Sequence, residues 1–308
     1  MPSREEPLRF GNYRVLERIG EGGMCLVFRA QRDDLGMDCA LKILKPELRA
    51  EERVRDLFLT EADLSLLLRH PNLIRSFDAG EIDGRAFIAM ELLEGGTLGD
   101  LVDVLKADDC PLPDDLALFV VSEMLSGLEA LHEAKGESGR PLGIVHRDVT
   151  PHNVFLGLDG RVVLGDYGVA HIGGHGEDLL SEVPGKLAYL PPEALTRDPV
   201  DRRGDLFSAG VLLHELLLGR RPFEGEDERA TMELIVEGRL EQPRRLRPEL
   251  PADLEKVLIS ALERRAEQRP SSAARLRGDL RPFWDDQLGN ARILGSLMRS
   301  VRSSHRAP

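Results

Sequence analysis

The hydrophobic rhythm of the chain changes once, near residue 95. Upstream, apolar and polar residues alternate in short runs, the period of half-buried strands. YRVLERIG and MCLVFRAQ alternate in this way, and CALKIL follows the DDLGMD turn. Residues 51–69 switch to helical spacing, with Glu51, Glu52 and Arg55 on one face and Phe58, Leu64, Leu67 and Leu68 on the other. HPNLIRSFDAG and AFIAMELL then predict two more strands, so the first part reads as a small β-rich unit with one helix. After Glu94-Gly95-Gly96, apolar residues recur every three or four positions in 97–106, 114–134, 203–219, 228–237, 251–263 and 271–284. Thr97, Asp114 and Ser271 stand where helix caps are expected. The intervening stretch 135–200 is polar and loop-rich, the kind of segment that carries chemistry on a helical scaffold. From about residue 288 the chain has four arginines, no acids and little periodicity past Met298, which predicts a linker or loosely docked end. No internal repeat is evident.

Composition narrows the function classes. With 308 residues the chain suits two packed lobes better than one core. A formal net charge of −13 argues against a general nucleic-acid or anionic-membrane binder, which needs a basic surface. Lysine is scarce, six among 41 basic residues, an arginine bias that hints at a GC-rich bacterial genome. Cys25, Cys39 and Cys110 show neither paired spacing nor histidine partners at metal-ligand intervals, which fits a reducing cytosol. The longest apolar run, Val211 to Leu218, is broken by His214 and Glu215 and falls short of a membrane span. The N-terminus lacks the apolar stretch of a signal peptide. The chain therefore reads as cytoplasmic, whether whole or as the cytosolic part of a longer receptor.

Candidate chemistry concentrates in His146-Arg147-Asp148-Val149-Thr150-Pro151-His152-Asn153, followed thirteen residues after Asn153 by Asp166-Tyr167-Gly168. An acid, an amide and a second acid at this spacing can position a nucleophilic hydroxyl and hold magnesium against phosphates. Upstream, Ile19-Gly20-Glu21-Gly22-Gly23-Met24-Cys25-Leu26-Val27 lies between two strands. Its glycines allow backbone N–H groups to approach phosphates. Taken alone, such a segment is more often a plain hairpin turn, and it is not a dinucleotide fingerprint, because a strand follows it. Lys42, in Ala40-Leu41-Lys42, sits on a strand of buried character, where an unpaired ammonium is costly. Glu61 interrupts the apolar side of its helix, as an inward-facing ion-pair partner would. Met90-Glu91-Leu92-Leu93-Glu94-Gly95-Gly96 runs from a strand end into a connection. Further on come Gly185-Lys186-Leu187-Ala188-Tyr189-Leu190-Pro191-Pro192-Glu193, then Asp205-Leu206-Phe207-Ser208-Ala209-Gly210, then Arg269 in EQRPS.

In this order the motifs resemble the protein kinase family over roughly residues 13–284, and within it the eukaryotic-like serine/threonine kinases of bacteria. The resemblance implies an α+β bilobal kinase fold: an N-lobe of five antiparallel strands plus one helix, and a larger, mainly helical C-lobe. The implied divisions are an N-terminal extension at 1–12, the N-lobe at 13–92, a hinge at 93–96, the C-lobe at 97–284 and a basic tail at 285–308. ATP would lie between the lobes with magnesium, manganese being an alternative ion.

Ile19, Gly20, Gly22, Gly23, Val27, Ala40, Met90, Glu91 and Leu93 would contact the nucleotide. Backbone groups of Glu91 and Leu93 would bond the adenine edge, with Met90 as gatekeeper. Lys42 would meet the α- and β-phosphates and pair with Glu61. Asp148 would orient the acceptor hydroxyl, while Asn153 and Asp166 would bind the metal. His146 would pack and hydrogen-bond without acting as the base. Arg147 would receive an activation-loop phosphate, for which Ser181 is the remaining candidate site. Glu193 would pair with Arg269, and Asp205 would bond catalytic-loop backbone.

Three departures bear on activity. Cys25 replaces the third glycine of the lid, predicting a stiffer loop tip. Thr150 stands where most serine/threonine kinases have a lysine touching the γ-phosphate, and Lys186 stands where they have threonine. We therefore expect Lys186 to supply the missing cation. The implied activity is ATP-dependent phosphorylation of protein serine or threonine, including autophosphorylation; the AAR pattern of tyrosine kinases is absent. Rival readings are a pseudokinase scaffold, against which the retained Lys42, Glu61, Asp148, Asn153 and Asp166 speak, and a small-molecule kinase, which would lack the GxxxYxxPE and DxxSxG elements. Protein substrates and oligomeric state are not legible.

Overall fold

A computed structural model describes residues 8–107, 110, 112–166, 186–285 and 289–304. In chain order the strands are β1 (Arg9–Phe10), β2 (Tyr13–Glu21), β3 (Cys25–Arg32), β4 (Met37–Leu44), β5 (Ser76–Ile82), β6 (Arg85–Glu91), β7 (Gly95–Thr97), β8 (Val154–Gly157) and β9 (Val162–Leu164). The helices are α1 (Glu52–Leu67), α2 (Leu98–Ala107), α3 (Asp114–His132), α4 (Pro192–Leu195), α5 (Arg202–Leu218), α6 (Glu228–Glu237), α7 (Pro243–Leu246), α8 (Ala252–Ala261), α9 (Ala273–Leu280) and α10 (Asn290–Ser304). The chain divides into two compact units, one built mainly from residues 1–70 and 74–92, the other from 93–168 and 173–308.

The smaller unit is an antiparallel sheet in the order β1-β2-β3-β4-β6-β5, with α1 packed on β5 and β6. Five strands were expected; a sixth appears because Arg9 and Phe10 pair with Arg14 and Tyr13. Two apolar clusters hold the sheet, one on each face, as period-2 alternation requires. Phe10, Tyr13, Val15, Leu41 and Phe87 form one. Cys25, Leu44, Phe58, Ala62 and Ile88 form the other, which joins the sheet to α1. Cys25 is thus a core residue opening β3, 6% exposed and opposite Leu44. The expectation that it stiffens a loop tip is corrected: its small apolar side chain turns inward under the sheet. No disulfide joins the three cysteines.

In the larger unit, α3 and α5 pack together, buried along most of their length, with α8 and α9 added around them. Thr97 caps α2 reciprocally: its Oγ1 accepts the Asp100 N–H, and Asp100 accepts the Thr97 N–H at 2.7 Å. Two expected caps are corrected. Asp114 is spent on a paired contact with Arg247, and Ser272 rather than Ser271 caps α9 by accepting the Arg275 N–H. The loop reading of 135–200 missed β8 and β9, which pair with each other, β8 also pairing with β7. These strands are too short for alternation to show. The loosely docked tail is also corrected: residues 290–304 form α10, with Leu294, Met298 and Val301 buried. Their i, i+4, i+7 spacing is a helical stripe.

Candidate active site

In the smaller unit, β4 brings Lys42 opposite Val27 on β3 and Ile88 on β6. Lys42 Nζ lies 2.7 Å from Glu61 Oε1 on α1, with both side chains largely buried. An ammonium inside a sheet needs such a partner, and Glu61, 7% exposed, needs the cation equally. β2 is bulged between Arg18 and Gly20, placing Gly20 opposite Val27 and leaving Ile19 exposed at 47%. The turn that follows, holding Gly22 and Gly23, closes through the Gly22 N–H to Cys25 carbonyl bond at 2.9 Å. Lys45 Nζ sits 3.2 Å from Glu21 beside it. Ala40 pairs in register with Met90, and Met90 packs on the Cys25–Phe58 cluster. The Glu91 N–H donates to the Arg75 carbonyl, and Glu91 Oε1 accepts the Arg75 N–H, so the strand end is clamped at both levels. Leu93 begins the larger unit.

In that unit the loop 146–153 is built around two buried anchors. Asp205, in the first turn of α5 and 1% exposed, accepts the N–H groups of His146 and Arg147 at 2.8 and 2.7 Å. Its Oδ2 also meets His132 Nε2 at 2.7 Å. This carboxylate holds Arg147 in a left-handed conformation (φ 63°), which a side-chain-bearing residue adopts only when its surroundings enforce it. His146 is fully buried and spans the loop: Nδ1 accepts the Asp148 N–H, and Nε2 donates to the Gly165 carbonyl at 3.1 Å. Burial depresses its pKa, outweighing nearby Asp205, so the ring stays neutral with its proton on Nε2. His146 therefore ties the loop to the residue before Asp166.

Asn153 Nδ2 donates to the Asp148 carbonyl at 2.8 Å, and the Asn153 carbonyl accepts the Gly165 N–H at 3.0 Å. Its amide nitrogen being committed, its side-chain oxygen is the group left to face a cation. Asp166 has a left-handed backbone as well (φ 53°). Oxygen donors of this kind suit a hard cation such as Mg2+, which keeps waters and takes phosphate oxygens to complete its shell. Among the described residues no group of three or more His, Cys, Asp and Glu could hold a metal alone. Tyr167, Gly168 and Ser181 lie outside the described residues.

Lys186 Nζ stands 2.8 Å from Asp148 Oδ2, with the two side chains 23% and 16% exposed. Asp148 Oδ1 is buried and has no hydrogen-bond partner among the described residues. One carboxylate oxygen is thus held by an ammonium while the other is left for a hydroxyl. Lys186 opens the helical turn Lys186–Tyr189, which is pinned from α5. Ser208 Oγ donates to the Tyr189 carbonyl at 2.7 Å, and the Tyr189 hydroxyl donates to Glu215 Oε2. Burial and the adjacent Glu215 raise the Tyr189 pKa, keeping the phenol protonated. Lys106 Nζ takes the other Glu215 oxygen at 2.7 Å. Sequence reasoning missed this network; the signal was a glutamate inside the otherwise apolar run of α5.

The expected structural pair is present. Both terminal guanidinium nitrogens of Arg269 reach Glu193 at 2.7 Å, and the guanidinium also donates to the carbonyls of Glu263, Arg203 and Arg264 while lying over the Phe207 ring. With every donor nitrogen engaged, burial of the charge is compensated.

Residues 13–279 match the protein kinase domain. The tyrosine-protein kinase MasK of Myxococcus xanthus is 33% identical over 298 residues, covering 94% of this chain and 46% of that protein. The serine/threonine-protein kinase PknJ of Mycobacterium tuberculosis is 34% identical over 274 residues, covering 86% of this chain and 44% of PknJ. The chain thus spans less than half the length of these curated relatives. Among solved structures, the PknI kinase domain of Mycobacterium tuberculosis superposes with a TM-score of 0.68 at 25% identity, covering 91% of this chain and 99% of that domain.

Proposed function

This chain belongs to the protein kinase family, among the eukaryotic-like kinases of bacteria, and from that premise we propose that it transfers the γ-phosphoryl group of ATP to serine or threonine hydroxyls of proteins, its own included. The observation that supports this best is the state of Asp148: one oxygen paired with Lys186, the other buried and without a hydrogen-bond partner among the described residues. A carboxylate held in this way can orient an incoming hydroxyl and accept its proton as the oxygen attacks phosphorus. Lys42, fixed by Glu61, would neutralise the non-transferred phosphates; the turn at Gly20, Gly22 and Gly23 would offer backbone N–H groups; Met90, Glu91 and Leu93 would line the adenine. Asn153 and Asp166 would hold Mg2+, or Mn2+, which when bound neutralises charge on the phosphate oxygens. His146 and Asp205 hold the loop that presents these groups.

Phosphoryl transfer needs cations close to the moving phosphoryl. Thr150 carries none, so we assign that charge to Lys186, whose long stem places an ammonium beside Asp148. A pseudokinase role is disfavoured by the intact Lys42–Glu61 pair and by the oriented Asp148. Among the described residues no helix is long and apolar enough to cross a membrane. The need for ATP is the ground on which we place the reaction in the cytosol. Because MasK is named a tyrosine kinase, the test must identify the acceptor. Incubating the chain with labelled ATP and Mg2+ should give phosphoserine or phosphothreonine by acid hydrolysis, and Asp166→Asn should abolish the label. Phosphotyrosine alone would refute the acceptor assignment, and label that persists in Asp166→Asn would refute the site.

A further inference from the structure

The β8–β9 ribbon joins the two residues assigned to the metal. β8 starts directly after Asn153, and β9 ends two residues before Asp166. The turn between the strands is bound on two sides. On one, the Leu158 N–H donates to the Glu94 carbonyl at 2.8 Å, and β7 pairs along β8 from Gly95↔Gly157 to Thr97↔Phe155. On the other lies α10, beyond the residues that match the kinase domain. Arg299 Nη1 donates to the Leu158 carbonyl at 2.6 Å, so this one residue is held by Glu94 through its N–H and by α10 through its carbonyl oxygen.

The helix approaches the turn closely at two glycines. A Cβ on Gly295 would stand 2.5 Å from the Leu158 carbonyl oxygen, and one on Gly160 would stand 1.8 Å from the Ala291 carbonyl oxygen. Both distances are far inside van der Waals contact, so the fit requires the absence of a side chain at each position. Below them Leu294, Met298 and Val301 are buried, and α10 packs on β7, β8, α2 and α3. Asn290, 3% exposed, anchors the start of the helix by donating to the Asp285 carbonyl at 3.0 Å.

We infer that α10 is a positioning element of the active site: it clasps the Leu158–Gly160 turn and thereby fixes the ribbon whose ends carry Asn153 and Asp166. This rests on the kinase reading for the metal role, but not for the clasp itself. Three strands this short form a small sheet that depends on the elements packed on it, α3 against β9 and α10 against β7 and β8. Their outer turn is the point where a small displacement swings both ends. Arg299 and Gly295 act through the ribbon and touch no reacting atom.

The test uses the full chain with Gly295→Ala and Arg299→Met. Alanine favours the helix itself, so Gly295→Ala separates undocking of α10 from its unfolding. Ser272→Ala, which removes the α9 cap, serves as a comparably destabilised control elsewhere in the same unit. Amide hydrogen exchange across residues 154–164 should be about tenfold faster in both clasp variants and unchanged in the control. In transfer assays the Mg2+ concentration giving half-maximal rate should rise several-fold in the clasp variants alone. Unchanged exchange in both variants, or equal acceleration in Ser272→Ala, overturns the clasp. Faster exchange with unaltered Mg2+ dependence overturns its positioning role. If the unsubstituted chain transfers no phosphate, the kinase reading fails, and exchange alone decides whether α10 holds the ribbon.

Discussion

Replacing Lys186 by threonine removes the ammonium 2.8 Å from Asp148 Oδ2 and leaves the loop without a cation at that point. At about 4 Å and an effective dielectric near 20, two unit charges attract by roughly 4 kcal/mol. Some of this is offset by water that enters when the side chain shortens, because Lys186 is 23% exposed. Removal of one preorganised group facing developing charge costs about 3 kcal/mol, or about 10²-fold in kcat. Lys186→Thr should therefore lower kcat about a hundredfold with little change in KM for ATP. Thr150→Lys alone should have a small effect, because a second ammonium adds repulsion as well as attraction. Combined, the two should recover to within about tenfold of the original rate, a coupling above 1 kcal/mol, well outside the few tenths expected of independent sites. The assay is steady-state transfer of labelled phosphate to a fixed protein acceptor, with thermal unfolding of each variant as a check on folding. Near-normal turnover in Lys186→Thr, or strict additivity in the double variant, would refute the assignment of the missing charge to Lys186.

Lys42→Met takes the cation from Glu61 and should lower the unfolding temperature, while the folded variant should transfer phosphate at least about 10²-fold more slowly; unaltered turnover would remove Lys42 from the site. Between Asp166 and Glu193 the hydroxyl-bearing residues are Tyr167, Ser181 and Tyr189, and Tyr189 is committed to Glu215. We propose Ser181, outside the described residues, as the regulatory phosphosite that pairs with Arg147. Ser181→Ala should then lower activity and remove a mapped phosphate, and full activity without modification at Ser181 would sink the idea. His214, buried in α5 with Nδ1 donating to the Arg220 carbonyl, has its pKa pushed down to about 4, chiefly by burial. A histidine depressed in the folded state contributes stability that is present above the unfolded pKa, near 6.5, and lost as pH falls towards 4. Unfolding free energy should drop between pH 7 and pH 5 by about 2 kcal/mol from this residue. Denaturant titrations should show a shallower pH slope for His214→Gln, and an identical slope would contradict the burial argument.

Much of the site was legible in the sequence because its chemistry is local. HRDVTPHN and the following acid carry their meaning in residue type and spacing, and a strand lysine and a helix glutamate that both interrupt apolar patterns announce a buried pair. The Lys42–Glu61 and Glu193–Arg269 pairs form as expected, and Lys186 stands beside Asp148. Illegible residues fall into two kinds. His132 looked like the end of an apolar helix, and only its approach to Asp205 gives it a role. Glu215 looked like an interruption of a hydrophobic run, and its partners Lys106 and Tyr189 lie 109 and 26 residues away.

The sequence by itself determined which of the longer segments coil, which extend and which residues can do chemistry, since those depend on period, glycine placement and side-chain type over a few neighbours. Only the tertiary structure decided where the ends of the chain go and what holds the loops in their strained conformations. Arg9 and Phe10 become a strand because β2 presents an unpaired edge, and residues 290–304 become a helix against β7 and β8 because Gly160 and Gly295 leave room for it. Arg147 keeps its left-handed backbone because a carboxylate 58 residues later receives its N–H. Such contacts are set by surfaces that exist only after folding, and short-range pattern carries no record of them.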